Sequence, residues 1–76
     1  MSETHLDLRG LKCPLPALKT RKALKTVTPG AVLVVACTDP MAAIDIPHLL
    51  NETKDLLEDH ASEGEVLTFR IRKAGP

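Results

Sequence analysis

The sequence predicts an α/β fold, and three segments of its first half carry that prediction. Residues 5–9 alternate polar and apolar side chains, which is typical of a strand with one buried face. Residues 14–27 repeat apolar side chains at helical spacing, and residues 31–37 form an apolar run rich in β-branched residues, as in a central strand. A strand, a helix and a strand form a βαβ unit. Its two strands are parallel and end at the same edge of the sheet.

Each element of this unit has its own signals. Leu6 and Leu8 face inward from the first strand, and Gly10 ends it. Pro29 and Gly30 stop the helix and make a turn. At about 100° per residue the helix has a single core face. The residues on that face are Ala17, Thr20, Ala23, Leu24 and Val27.

The second helix is predicted to be interrupted. Pro47 lacks an N–H and its ring clashes with the preceding turn, so it is expected to break any helix that starts at Met41. We therefore predict a short turn through residues 43–44, a new cap at Asp45 and a helix through Ile46, Leu49 and Leu50 to about Thr53. His48 is expected to face solvent.

Residues 55–61 are ambiguous, because their propensities favour helix while a small domain of this layout needs another strand. Residues 67–73 are the clearest strand in the chain. Their alternation places Leu67, Phe69 and Ile71 inward and Thr68, Arg70 and Arg72 outward.

Length and composition predict one domain over residues 1–76 with a modest core. Ten basic and ten acidic residues cancel, so no global basic field of the kind that drives nucleic-acid binding exists. The polar N-terminus lacks a signal-peptide pattern, and the longest apolar run, residues 31–37, is too short to span a bilayer. A soluble, cytoplasmic protein with two free thiols is expected.

Cys13 is the principal candidate for chemistry. Pro14 and Pro16 suit a first helical turn, so Cys13 is predicted to be the helix N-cap, where the positive end of the helix dipole favours a thiolate. Gly10 makes the preceding loop flexible, and Arg9 and Lys12 are expected to add positive potential. The pKa of the Cys13 thiol is therefore predicted to lie below that of an ordinary cysteine.

A second helix start is expected beside this thiol. Asp39 and Pro40 suit the N-cap and first position of a helix, and the βαβ geometry places them at the same end of the domain as Cys13. Two helix N-termini at one place would favour an anionic sulfur. For Asp39 itself we expect only a capping role. Cys37, within an apolar strand, is expected to be structural, with a regulatory disulfide to Cys13 as a minor alternative.

Motifs along nearly the whole chain resemble the TusA/SirA-like family of sulfur-carrier proteins. The most specific is the Cys-Pro-x-Pro motif at Cys13–Pro16, in its strand-to-helix context. The other matching segments are Leu6–Asp7, Gly10–Lys12, Arg21–Lys22, Pro29–Gly30, Thr38–Pro40, Asp45–Pro47 and Phe69–Lys73.

This resemblance implies a two-layer α/β (α+β) sandwich of order β-α-β-α-β-β, with both helices on one face of a four-stranded mixed sheet. By that analogy residues 55–61 are a strand. Lys54 departs from the family, which commonly has glycine just before this strand, so the boundary stays open.

The resemblance also implies a function. Proteins similar to this one accept sulfane sulfur as a persulfide on the motif cysteine, here Cys13, and relay it to a protein acceptor. The implied donors are cysteine desulfurases or rhodanese-type proteins, and the implied acceptors act in tRNA thiolation, molybdenum-cofactor enzyme maturation or sulfur oxidation. This chemistry needs no cofactor and no metal. A monomer is expected.

Other classes fit less well. A thioredoxin-like enzyme needs a Cys-x-x-Cys motif, and no Cys or His pair has standard metal-ligand spacing. A regulatory or RNA-binding α/β module is the main alternative, because Arg70, Arg72 and Lys73 lie near an outer sheet face. The only aromatic ring, Phe69, is predicted to point inward, so a stacking surface is missing and stable nucleic-acid binding is not expected.

The first helix also has a candidate docking face for partners. Leu15 and Leu18 fall opposite the core face, and exposed apolar residues within a charged rim are typical of protein-binding surfaces. The cationic residues of that rim are Lys19, Arg21, Lys22 and Lys25. The alternative is that the leucines tuck under the loop at residues 10–11.

Overall fold

The computed structural model describes residues 3–74. Its four strands and two helices follow the order β-α-β-α-β-β that the family resemblance implies. In chain order these elements are β1 (Glu3–Leu8), α1 (Leu15–Leu24), β2 (Val32–Cys37), α2 (Ala42–Thr53), β3 (Leu56–Glu63) and β4 (Val66–Arg72). The predicted domain over residues 1–76 includes residues 1–2 and 75–76, which lie outside the described residues.

The strands form one mixed sheet in the order β1-β2-β4-β3. β1 and β2 are parallel, and β4 is antiparallel to both of its neighbours, β2 and β3. The two helices contact each other and cover one face, which confirms the predicted βαβ unit and the two-layer sandwich. Leu8 pairs with Cys37 in the parallel register, so the loops that follow β1 and β2 start side by side.

The core lies between this sheet face and the helices. Leu33, Val35 and Ile71 are fully buried, and Thr20, Leu24 and Val27 cover them from the side of α1, as the helical pattern predicts. Full burial of an aliphatic side chain of this size contributes about 1.5–3 kcal/mol. The helix ends at Leu24, three residues before the pattern does, because Thr26 donates its N–H to the Ala23 carbonyl at 3.0 Å in a tighter turn.

The predicted interruption of the second helix is wrong. α2 runs without a break from Ala42 to Thr53, with Pro47 inside it. Pro47 removes only the bond to the Ala43 carbonyl, and Ala43 is exposed, so water can replace that donor. The buried side chains of α2 form one continuous face that favours the unbroken helix. They are Ala42, Ile46, Leu49 and Leu50. His48 is exposed, as predicted.

Lys54 resolves the boundary between α2 and β3. Its backbone is left-handed, with φ 68°, and its N–H donates to the Leu50 carbonyl at 2.8 Å to end the helix. Asp55 is buried and accepts the N–H of Ala74 at 2.8 Å. Residues 56–63 then pair with β4, so the strand implied by the resemblance is confirmed over the local helical propensity.

The sheet face away from the helices carries charged side chains that pair with one another. Arg70 contacts Glu3 at 2.7 Å, and Arg72 contacts Glu58 at 2.7 Å. Phe69 is 3 % exposed and points into the core, as predicted. Helices of the length and apolar character needed to cross a membrane are absent from residues 3–74.

Candidate active site around Cys13

The loop that carries Cys13 is fastened to the loop that follows β2. Gly10 donates its N–H to Thr38 Oγ1 at 2.8 Å, and Cys13 donates its N–H to Asp39 Oδ2. Gly10 turns the chain with φ 86°, a conformation that side chains disfavour. The predicted meeting of the two loops at one edge of the sheet is therefore confirmed.

Cys13 is not the N-cap of α1. The Pro14 carbonyl accepts the first intrahelical bond, from the Leu18 N–H at 3.1 Å, so Pro14 is the N-cap and Pro16 lies in the first turn. A turn closed by the Leu15 N–H and the Lys12 carbonyl, at 2.9 Å, precedes the helix. This turn places Cys13 one residue before the N-cap of α1, on the side that faces α2.

The Cys13 thiol faces a carboxylate across the site. Its side chain is exposed, and Sγ donates a hydrogen bond to Asp45 Oδ2 at 3.0 Å. Asp45 lies at the start of α2, 32 residues along the chain. The sequence analysis interpreted Asp45 as a helix cap and missed this contact. The available signal was the Asp45–Pro47 motif, combined with the expectation that both helix N-termini meet near the thiol.

The predicted lowering of the Cys13 pKa is wrong in direction. The hydrogen bond to Asp45, desolvation of the sulfur by neighbouring atoms and the charges of Asp45 and Asp39 all raise the pKa of Cys13 above its ordinary value. Both carboxylates lie at the α2 terminus, so this end of the site carries negative side chains, which disfavour a thiolate. The thiol form is favoured in the free protein.

Arg9 does not contribute positive potential to the thiol as predicted. Its guanidinium binds both carboxylate oxygens of Asp7, at 2.8 and 3.0 Å, and this pairing lowers the pKa of Asp7 to about 2. Arg9 lines a groove on the open sheet face with His5 and Val34. Lys12 does line the groove beside Cys13.

Asp39 joins two backbone segments instead of capping α2. Its Oδ1 accepts the N–H of Met41 at 3.1 Å, in the turn that precedes α2, while Oδ2 accepts the N–H of Cys13. The N-cap of α2 is Met41 rather than Asp39, because Pro40 and Met41 form a turn before the helix proper. Asp39 thus ties the thiol loop to the start of α2.

Cys37 has a different environment. It is fully buried in the core, and burial and the nearby Asp39 raise its pKa to about 11. Both cysteines are free thiols. Within residues 3–74, no three His, Cys, Asp or Glu side chains cluster closely enough to hold a metal ion.

Exposed apolar side chains surround Cys13 on two sides. Leu15 and Leu18 of α1 are 43 % and 56 % exposed, which confirms the predicted exposure of this helix face. Lys19, Arg21, Lys22 and Lys25 are exposed beside them. Leu18 shares a groove with Cys13 and Asp45 between the helices.

On the α2 side, Met41 and Ile44 are 46 % and 64 % exposed, and Met41 lines a second groove with Cys13. The sequence analysis missed both residues: it placed Ile44 in a short turn and assigned Met41 no part in the site. Cys13 therefore lies where the two grooves meet, between the apolar starts of two helices.

Comparison with known proteins places this chain in a family. The sulfurtransferase TusA family matches residues 4–73. The sulfur carrier protein TusA of Allochromatium vinosum is 36 % identical over 72 residues, which cover 95 % of each chain. A putative sulfur carrier protein of Neisseria meningitidis serogroup A is 38 % identical over 72 residues, 95 % of this chain and 97 % of the relative. The putative sulfur carrier protein YrkI of Bacillus subtilis is 35 % identical over 72 residues, 95 % of this chain and 96 % of the relative. The chain belongs to the sulfurtransferase TusA family of sulfur carriers.

Proposed function

We propose that this sulfur carrier holds sulfane sulfur as a persulfide on Cys13 and relays it from a protein donor to a protein acceptor. The observation that carries the proposal is the contrast between the two cysteines. Cys13 is exposed where two grooves meet, at the site of the Cys-Pro-x-Pro motif, whereas Cys37 is buried in the core. A thiol that exchanges sulfur with other proteins has to be accessible to them.

The relay consists of two exchange steps without a net oxidation. In the first, the Cys13 thiolate attacks the outer sulfur of a donor persulfide, R–S–S–H; the donor S–S bond breaks and R–S⁻ leaves. In the second, an acceptor thiolate attacks the outer sulfur on Cys13, and Cys13 leaves as its thiolate, which takes up a proton. The rate of each step depends on how much of the attacking thiol is ionised, on the pKa of the leaving thiol and on access to the outer sulfur. No metal or organic cofactor takes part.

Donor and acceptor proteins dock, in this proposal, on the exposed start of α1 beside Cys13. Leu15 and Leu18 supply apolar area, and Lys19, Arg21, Lys22 and Lys25 form the cationic rim. Within residues 3–74, none of these four cations pairs with a carboxylate of the chain, so their charge is available to an acidic partner. The donor class is a cysteine desulfurase or a rhodanese-type protein, and the acceptor is a protein of tRNA thiolation, molybdenum-cofactor maturation or sulfur oxidation.

The RNA-binding alternative has little support from the open sheet face. Two of its three cations, Arg70 and Arg72, pair with Glu3 and Glu58, and Phe69 is buried, so little cationic charge and no stacking ring from Phe69 are offered there. We further propose a monomer of one domain that works in the cytoplasm, a reducing compartment in which both thiols stay free.

The proposal is tested by incubating the protein with a cysteine desulfurase and cysteine and measuring its intact mass. One added sulfur atom per chain, mapped to the peptide that contains Cys13 and removed by a reductant, is the expected result. The Cys13→Ser variant should gain no sulfur.

Cys37→Ala is the matched control, because alanine is small and apolar and leaves no unpaired polar group in the core. This variant should load sulfur as the wild type does. Loading of Cys13→Ser at the wild-type level, or sulfur found on the Cys37 peptide, would refute the assignment.

A further inference from the structure

We propose that Asp45 is a positioning residue that accepts a hydrogen bond from the Cys13 thiol and so holds the sulfur in its unreactive, protonated form until a sulfur-transfer partner docks. The inference rests on the proposed relay through Cys13 and assigns a regulatory group to that site. In this form an exposed thiol reacts slowly with small molecules between transfers.

Geometry supports this role directly. The only side-chain hydrogen bond of Sγ within the described residues is to Asp45 Oδ2, at 3.0 Å. Ile46, adjacent to Asp45, is fully buried, so the segment that carries the carboxylate is anchored in the core. The backbone N–H of Cys13 is held by Asp39, which fixes the loop from the other side. Thiol and carboxylate are therefore positioned by separate anchors.

The charged groups around the sulfur come from every neighbouring element. Lys12 lies in the same loop as Cys13, and Asp39 follows β2. Arg21 of α1 and Asp45, His48 and Glu52 of α2 line the groove between the helices. Among these groups, the carboxylates of Asp45 and Asp39 act on the pKa of Cys13, and both raise it. The thiolate therefore has a higher free energy in the free protein than in an unfolded chain.

A partner can reverse this balance in one defined way. The docked donor can present a cationic side chain that pairs with Asp45. This pairing takes away the hydrogen-bond acceptor of the thiol and cancels the negative charge beside Sγ. The thiol proton then passes to solvent or to the donor thiolate that leaves. Sulfur uptake is thereby favoured in the docked complex over the free protein.

The test measures the pH dependence of Cys13 alkylation, with peptide mapping to separate the two thiols. Asp45→Asn keeps the shape of the side chain and removes its charge, so the midpoint should fall. For each unit by which the midpoint falls, the fraction of thiolate at neutral pH rises about tenfold. A thiolate of lower pKa is also a weaker nucleophile, which cancels about half of that gain on a logarithmic scale. Alkylation at neutral pH should therefore become about threefold faster for each unit by which the midpoint falls. Loading from glutathione persulfide, which has no docking surface, should accelerate likewise.

Glu52→Gln is the matched control, because Glu52 carries the same charge on α2 but contacts His48 at 3.0 Å instead of Sγ. Its midpoint should equal that of the wild type. Asp45→Glu retains a carboxylate and should keep a midpoint above that of Asp45→Asn, whereas a purely structural role would show no such rescue.

One measurement needs no variant. The native wild-type midpoint should exceed that of Cys13 in the urea-unfolded chain. A native midpoint at or below the unfolded one, or an Asp45→Asn midpoint equal to that of the wild type, would overturn the inference. Failure of the proposed relay is separately visible, because wild-type Cys13 would then take no sulfur from the desulfurase at any pH.

Discussion

The backbone N–H of Cys13 donates to the side chain of Asp39, so a residue 26 positions away holds the reactive loop in place. The same carboxylate accepts the Met41 N–H at 3.1 Å, at the start of α2. One side chain therefore joins the segment that carries the thiol to the helix that carries Asp45. Four predictions follow from this and three other features of the fold.

Asp39→Ala should destabilise the protein by about 1–2 kcal/mol, because it leaves the Met41 and Cys13 N–H groups without their side-chain acceptor. Asp39→Asn keeps one acceptor oxygen and should cost less. Urea unfolding measures the difference. Asp59→Ala is the control, since Asp59 accepts only the N–H of its neighbour His60, at 2.8 Å. Equal stability of Asp39→Ala and Asp59→Ala would contradict the role given to Asp39.

Substitution on the proposed docking surface should slow protein-to-protein transfer without affecting the thiol itself. Leu18→Glu combined with Arg21→Glu should reduce the rate of sulfur transfer from a desulfurase about tenfold, the effect of losing somewhat more than 1 kcal/mol of binding. Small-molecule alkylation of Cys13 should stay within about twofold of the wild-type rate, because charges exposed to water are strongly screened.

Leu56→Glu is the control for this surface. Leu56 is 57 % exposed, like Leu18, but it lies on β3 rather than beside Cys13. Transfer to this variant should proceed at the wild-type rate. An unchanged rate for the Leu18–Arg21 double variant, or unfolding caused by Leu18→Glu alone, would show that partners dock elsewhere.

Lys54→Gly should stabilise the protein. Lys54 ends α2 with φ 68°, a conformation that costs a residue with a side chain about 1–2 kcal/mol. Glycine adopts it freely but loses more entropy on folding, which leaves a net gain of about 0.5–1 kcal/mol. For a domain of this size the melting temperature should rise by roughly 2–8 °C. Lys25→Gly, at the right-handed C-cap of α1 with φ −69°, should not produce this gain.

Stability should fall in alkaline solution because of Cys37. The pKa of Cys37 rises from 9.0 to about 11 on folding, so between these values the native state keeps a proton that the unfolded chain has released. The free energy of unfolding is therefore fully retained below about pH 9 and decreases above it, by up to about 1.4 kcal/mol per pH unit. The chain has no tyrosine to obscure the effect.

The measurement is urea unfolding from pH 8 to pH 10 in a Cys13→Ser background, because the pKa of Cys13 is also raised and contributes with the same sign. Cys37→Ala in that background should show a flatter dependence. Identical slopes with and without Cys37 would contradict the prediction.

Local patterns were sufficient for most of the fold. The alternation at Leu6 and Leu8 and the apolar run that ends at Cys37 predicted two parallel strands, and the structure pairs Leu8 with Cys37. The helical positions of Leu15 and Leu18, opposite the core face of α1, also predicted that both leucines are exposed. The prediction from sequence was wrong at Pro47. The one hydrogen bond that Pro47 removes is outweighed by the continuous buried face along α2, so the helix is not interrupted.

What the sequence by itself determined is the strand–helix–strand unit, the last strand, and that Cys13 lies in a strand-to-helix loop, because periodicity and turn residues act over a few positions. Only the tertiary structure decided where the thiol points and how it ionises. The expected thiolate followed from the nearby helix start and from Arg9 and Lys12, all local to the motif. In the fold Arg9 pairs with Asp7, while the sheet brings Asp45 to 3.0 Å from Sγ. Hydrogen bonds and Coulombic effects both depend on distance through space, so a carboxylate remote in sequence reversed the direction of the pKa shift that the local residues predicted.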